Sequence, residues 1–245
     1  MIKFENVHKW LQGQHILKGI NLHIARGETL VLVGPTGTGK SVSLKHLIAL
    51  HDPDEGDIIV DGVNMQTLTD KELEKFRLKF GMLFQSGALL NWLNIADNVA
   101  LPLRENTNLS EKEILERVCE TLSLVGLEDA ALKRPSQVSG GMRKRAGLAR
   151  AIITEPQVLL YDEPTSGLDP VMSRRIDKLI VMLKDKLQVT SVVVTHDMIS
   201  AFAIADKIAM IYEGVIVEVG TPREFRNSKN PIVQEFIGAQ MDVNY

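Results

Sequence analysis

Eight consecutive residues, Gly34-Pro35-Thr36-Gly37-Thr38-Gly39-Lys40-Ser41, fit the pattern G-x-x-x-x-G-K-[ST]. Glycines at these positions let the backbone curl until successive N–H groups converge on phosphate oxygens. A helix starting at the end of the loop adds its partial positive charge. Lys40 would then reach the β- and γ-phosphates of a nucleotide, and the Ser41 hydroxyl would ligate Mg²⁺. Val42 is counted with the same cradle. The flanks suit the chemistry. Thr29 to Val33 reads TLVLV, a β-branched apolar run typical of a buried parallel strand. Leu44, Leu47 and Ile48 follow at helical spacing.

Two further clusters could complete a site. Asp162-Glu163 ends the apolar run Val158-Leu159-Leu160-Tyr161. Two acids can simply terminate a strand at the surface. Beside Lys40 and Ser41, however, Asp162 can hold Mg²⁺ and Glu163 can take a proton from attacking water. Ser139-Gly140-Gly141 opens a helical stretch. It reads as a plain N-cap or as a second anion site made of a hydroxyl, bare N–H groups and a helix dipole. A chain that has already cradled phosphates once suggests a nucleotide shared between two copies.

The elements that must position these residues follow from periodicity. The first part reads as strands, with Met1 to Val7 and the alternating Ile20, Leu22 and Ile24. Thr69 to Lys79 reads as a charged helix capped by Thr69, and Phe80 to Phe84 as a second buried strand ending at Gln85. From Ser86 to about Glu155 the period becomes helical. Ser110, followed by acidic residues, marks one helix start, and Ser139 begins another helix through Ile153. The core resumes at Val158, with a helix from about Pro170 to Lys186 and strands at 191–194, 208–211 and 215–219. Alternating strands and helices predict an α/β fold with a mostly parallel sheet covered on both faces.

Composition bounds the rest. The chain has 245 residues, 44% of them hydrophobic and 24% charged, as in ordinary globular proteins. The net charge of −3 makes no electrostatic case for a nucleic-acid partner. No apolar run approaches the ~18 residues of a membrane span, and the N-terminus lacks the apolar core of a signal peptide. A single cysteine, Cys119, fits a reducing cytosol.

With these residues in order, the chain resembles the ATP-binding subunits of ABC transporters. GPTGTGKS looks like Walker A, VSGGM like the family signature, VLLYDE like Walker B and SGLD, at 166–169, like the D-loop. Gln85 looks like the Q-loop residue, and His196 in VVVTHD like the switch histidine. The resemblance implies a P-loop NTPase with a RecA-like core, N-terminal antiparallel strands and an inserted helical subdomain at about 86–155, within an ATP-binding domain over 1–220. A short helical tail would occupy 221–245. It also implies ATP and Mg²⁺ as ligands, with Ser41, Gln85 and Asp162 at the metal and Glu163, His196 and Gln85 in catalysis. Two copies would sandwich two ATP between the P-loop of one and Ser139-Gly140-Gly141 of the other, with Asp169 crossing the interface. Integral-membrane permease subunits would be the partners, at the cytoplasmic face of the inner membrane.

Met82 to Leu90, Asp97 to Glu105 and SGGM with Arg143-Lys144-Arg145-Ala146 are similar to the Mla-type branch, which moves phospholipid between the membranes of diderm bacteria. That branch would add a small accessory cytoplasmic subunit and a lipid-binding protein. An importer for a small solute, or an ATPase acting on nucleic acid or ribosomes, remains an alternative. Met142 stands where the signature usually has glutamine, and a thioether cannot replace the amide's hydrogen bonds. Trp10 is the candidate for stacking on adenine, but it lies one residue before the usual register, where Leu11 falls. It reads equally as a packed strand-end aromatic. Leu89 to Leu93 suits a permease groove or the core of the helical segment.

Overall fold

A computed structural model describes residues 1–241. The chain opens with β1 (Ile2–Leu11) and β2 (Gln14–Ile24), then β3 (Thr29–Val33) and α1 (Lys40–Leu47). Next come β4 (Glu55–Val60), the two-residue β5 (Val63–Asn64), α2 (Asp70–Arg77) and β6 (Phe80–Leu83). Between β6 and β7 (Val158–Asp162) lie three α-helices: α3 (Ile95–Asn106), α4 (Glu111–Leu124) and α5 (Gly140–Ile152). The remainder is α6 (Pro170–Leu187), β8 (Thr190–Val194), α7 (Met198–Ile204), β9 (Lys207–Tyr212), β10 (Val215–Gly220), α8 (Pro222–Arg226) and α9 (Pro231–Met241). The last four residues of the expected 221–245 tail lie outside the described residues.

Two sheets result. The larger runs β10-β9-β3-β8-β7-β6, with β9, β3, β8, β7 and β6 parallel and β10 antiparallel at one edge. The smaller runs β2-β1-β4-β5 and is antiparallel throughout. The expected α/β fold with N-terminal antiparallel strands is therefore present.

All five residues of β3 and all five of β8 are buried, because both faces of the parallel sheet are covered. Period two sorts them into two cores. Val31, Val33, Leu159, Tyr161 and Val193 face α3 to α9. Leu30, Leu32, Leu160, Val192 and Val194 face α1 and the antiparallel sheet. Helix starts follow their caps. Thr69 with Glu72 and Ser110 with Glu113 form reciprocal capping boxes at α2 and α4. Sequence reading did not single out α3, because Pro102 sits inside it. Proline removes one backbone donor from a helix interior. The buried Val99, Ala100 and Leu103 around it outweigh that loss. Among the described residues no helix is long and apolar enough to cross a membrane.

One close approach fixes α5 against β6. A Cβ built on Gly81 would lie 2.1 Å from the Ala151 carbonyl oxygen. Gly81→Ala should therefore push α5 off the sheet, destabilise by about 1–3 kcal/mol and lower Tm by roughly 5 °C. An unchanged calorimetric Tm would show that the helix yields without loss.

Candidate functional site

The site gathers at the carboxyl ends of β3, β7 and β8. The residue before α1 is Gly39, at φ 104°, and no side chain caps that helix. A side chain at Gly39 would be strained by φ and would meet Leu17 Cδ2 at 2.5 Å. The first N–H groups of α1 have no intrahelical partner and no cap, so they are free for phosphate. Lys40 is buried, and its Nζ donates to the carbonyls of Gly34 and Pro35 at 2.7 and 2.8 Å. Its own loop thus satisfies the ammonium. Burial lowers the Lys40 pKa, opposed by the nearby carboxylates of Glu163 and Asp162.

The second half of the site reaches across from β7. Ser41 Oγ donates to Asp162 Oδ1 at 2.7 Å, joining two of the three expected metal ligands directly. A hydroxyl and a carboxylate are hard oxygen donors suited to Mg²⁺. No group of three or more His, Cys, Asp or Glu is poised as a metal cage among the described residues. A cation at Ser41 and Asp162 would draw the rest of its shell from Gln85, which lines the same cleft, and from phosphate and water. These residues therefore fit Mg²⁺.

Glu163 is held on several sides. Its φ is 48°, in the left-handed region, which costs about 1–2 kcal/mol for a residue with a Cβ. Its N–H donates to the Val194 carbonyl at 2.9 Å. Its Oε2 lies 2.9 Å from His196 Nδ1 and accepts from Thr195 Oγ1 at 3.4 Å. Glu163, His196 and Gln85 line one cleft of about 320 Å³ with Thr36, Gly37, Gly39, Lys40, Ser41 and Val42. Gln85 Nε2 donates to Ser166 Oγ at 3.3 Å. Pro35 and Thr38 line an adjoining hollow with Tyr212 and Glu213, which shares Thr36 and Gly37 with the cleft.

Other expected residues lie elsewhere. Ser139 caps α5, accepting from Met142 N at 3.3 Å, and does not line the cleft. Gly140 and Gly141 sit against Leu168 and Met172 at the start of α6. Met142 packs on the helical core. Asp169 Oδ1 caps α6, accepting from Val171 N and Met172 N.

Trp10 stacks on His15 at 4.0 Å, with the rings 7° apart, as a strand-end aromatic does, and Leu11 and Ile16 line the cleft. A register shift between Lys9 and Trp10 in the β1–β2 ladder redirects the strand there.

Sequence reasoning also passed over Lys144 and a polar network. Lys144 lies in the buried stripe Gly141, Lys144, Leu148, Ala151 of α5, a spacing that could have flagged it. Its Nζ donates to the Glu163 carbonyl at 2.8 Å, and burial brings its pKa down to about 8. Arg174 pairs with both the buried Asp177, at 2.8 Å, and Asp197, at 3.1 Å. Ser200 Oγ bonds both acids, which ties α6 to the turn after His196. Burial raises the Asp177 pKa despite Arg174.

A strand–loop–helix phosphate cradle, an acidic strand end and a histidine beside it on a parallel sheet define a P-loop nucleoside triphosphatase. Residues 17–166 match the family described as ABC transporter, and the chain belongs to that family as an ATP-binding, ATP-hydrolysing subunit. It is 42% identical over 239 residues, 98% of this chain and 67% of the relative, to the probable ribonucleotide transport ATP-binding protein mkl of Mycobacterium tuberculosis. It is 41% identical over 249 residues to the methionine import ATP-binding protein MetN of Aliivibrio fischeri, covering 100% of this chain and 72% of the relative. It is 39% identical over 227 residues to the intermembrane phospholipid transport system ATP-binding protein MlaF of Haemophilus influenzae, covering 93% and 86%. The dimeric cassette MJ0796, solved in a post-hydrolysis state with ADP and Pi, superposes with a TM-score of 0.84 at 35% identity, covering 91% of this chain and 99% of that one.

Lys40→Ala removes a charge-assisted donor from the cradle. It should weaken ATP binding by about 1.5–3 kcal/mol, roughly ten- to a hundredfold in Kd. Calorimetric titration with ATP reads this directly, and an unchanged Kd would remove Lys40 from the phosphate site.

Proposed function

We propose that the chain energises phospholipid transport between bacterial membranes, as a homodimer bound to permease subunits at the cytoplasmic face of the inner membrane. One observation carries this reading. The two stretches that resemble the Mla-type branch, Met82 to Leu90 and Asp97 to Glu105, form one physical device. Asn98 is fully buried, and its carboxamide holds the intervening turn. Its Oδ1 accepts from Leu90 N at 2.7 Å, and its Nδ2 donates to the Leu90 and Asn94 carbonyls at 3.0 and 2.9 Å. The turn begins just beyond Gln85 in the cleft and leaves Trp92 72% exposed.

A loop carrying the 85% exposed Leu132 is tied to the start of α3 by Ile95 N to the Lys133 carbonyl and Ala96 N to the Ala131 carbonyl. Two large apolar side chains are thus held outward at the helical end, as an anchor for a membrane partner would be. Leu89 packs on the helical core, so Trp92 is the better probe of docking. The likeness to MlaF over most of its length supports the lipid reading. The likeness to MetN favours a second reading, import of a small solute such as methionine. A small accessory cytoplasmic subunit and a lipid-binding protein belong to the lipid reading alone.

In this mechanism the loop N–H groups and Lys40 hold the triphosphate. Mg²⁺, held by Ser41, Asp162 and Gln85, would neutralise phosphate charge. Glu163 accepts the proton of the attacking water, and His196 orients that carboxylate and meets the γ-phosphate. Ser139, Gly140 and Gly141 lie outside their own cleft, so they act on the nucleotide of the second copy.

Glu163→Gln keeps the shape and loses the proton acceptor. Steady-state hydrolysis should fall by roughly 10²-fold or more while ATP still binds; normal turnover would place the base elsewhere. For the partner, Trp92→Glu should uncouple ATPase activity from transport in proteoliposomes without lowering Tm. Transfer of fluorescent phospholipid by the intact complex is the deciding measurement, and movement of methionine without lipid would select the second reading.

A further inference from the structure

Lys144 is a buried ammonium that the mechanism above does not use. Only 5% of it is exposed, five residues into the helix that Ser139 caps. Burying such a group is unfavourable unless it is hydrogen-bonded. Among the described residues it makes no ion pair with a carboxylate; its bond goes to the Glu163 carbonyl oxygen at 2.8 Å.

That carbonyl belongs to the residue with the least relaxed backbone in the site. At φ 48°, Glu163 stays in the left-handed region only because its surroundings hold it there. Val194 O takes its N–H, and Ser166 N closes the following turn onto its carbonyl at 3.2 Å. Lys144 supplies a hydrogen bond to this peptide from α5. Removing it leaves the Ser166 N–H as the one hydrogen bond to that carbonyl. The carbonyl precedes Pro164, whose ring fixes φ on the far side of this peptide, so a turn of the plane is not absorbed there and passes back to the Glu163 Cα and the carboxylate beside His196.

We propose that Lys144 is a positioning residue for ATP hydrolysis, whose ammonium fixes the Glu163 peptide and ties the carboxylate's placement to α5. The proposal rests on the reading of Glu163 as the proton acceptor. Its consequence is mechanical. α5 opens on the residues that act on the nucleotide of the second copy. A shift of that helix therefore reaches the carboxylate of its own copy through one hydrogen bond.

Three variants of the complete purified complex test this. Lys144→Met keeps the stem and removes the ammonium. It should lower kcat by about tenfold to a hundredfold, as misplacement of a reacting group does, with the KM for ATP unchanged. In a Glu163→Gln background the same substitution should add nothing to the loss, because Lys144 acts only through that side chain. Lys144→Arg can donate to the same carbonyl and should keep kcat within about threefold of the parent. If the Met variant melts below the assay temperature, the Arg variant carries the test, and a tenfold loss of kcat at unchanged Tm overturns the proposal. Wild-type kcat in the Met variant, a raised KM instead of a lowered kcat, or equal losses with and without the Glu163 carboxylate also overturn it. Normal turnover in Glu163→Gln alone would instead defeat the reading of Glu163 as the base, so the two failures are distinguishable.

Discussion

Everything in the site depends on the parallel register of β3, β8 and β7. Leu32 pairs with Val194, and Val194 pairs with Asp162, so the three strands end level. Loops leaving level strand ends crowd together at one edge, where open α/β sheets place their ligands. The P-loop, the Asp162-Glu163 pair and His196 follow from those three ends. The Ser41–Asp162 hydrogen bond closes the edge between β3 and β7, although β8 lies between them. A slip of one residue in β7 would flip Leu159 and Tyr161 between the two cores and carry Asp162 away from Ser41. Core packing and site geometry are therefore one constraint.

The same edge concentrates charge in a half-buried setting. Lys40 enters from the P-loop and Lys144 from α5, and burial lowers the pKa of both. The carboxylates of Glu163 and Asp162 oppose that shift in each case. Two cations stand near two anions without a lysine–carboxylate ion pair. Each ammonium instead donates to backbone carbonyls. Such bonds can be exchanged for phosphate oxygens without leaving an isolated charge behind, which suits Lys40. Lys144 does not line the cleft, and its bond goes to the Glu163 carbonyl.

Much of this was legible in the sequence where local chemistry and local structure coincide. The phosphate loop, its strand, the acidic strand end and the capped helices depend on nearby residues, and the structure places them as expected. Trp10 and Leu11 could not be told apart, because one register shift in an antiparallel ladder decides which of two adjacent residues lines the cleft. Composition does not encode that shift, and the aromatic ring found His15 instead. Lys144 was overlooked because lysine ordinarily marks a solvated face, although its place in the apolar stripe of α5 contradicted that. α3 was hidden by Pro102, whose local signal opposes a helix that tertiary packing enforces.

The helical segment has its meaning in what α5 joins. Gly81 lets α5 lie against β6, the strand that leads to Gln85. Arg150 of α5 donates to the carbonyls of Gly87 and Ala88, on the turn that follows Gln85. The same helix therefore grips the segment before Trp92, holds the Glu163 peptide through Lys144 and presents Ser139 at its free end. A force on the exposed apolar end is not absorbed by a flexible loop, because the hydrogen bonds of Asn98 and Arg150 connect that turn to α5. Movement of that helix must alter either the cleft or the surface offered to a second copy. In the proposed transport role, that linkage would let nucleotide chemistry and a membrane partner act on one another through a chain whose described helices are not long and apolar enough to cross a bilayer.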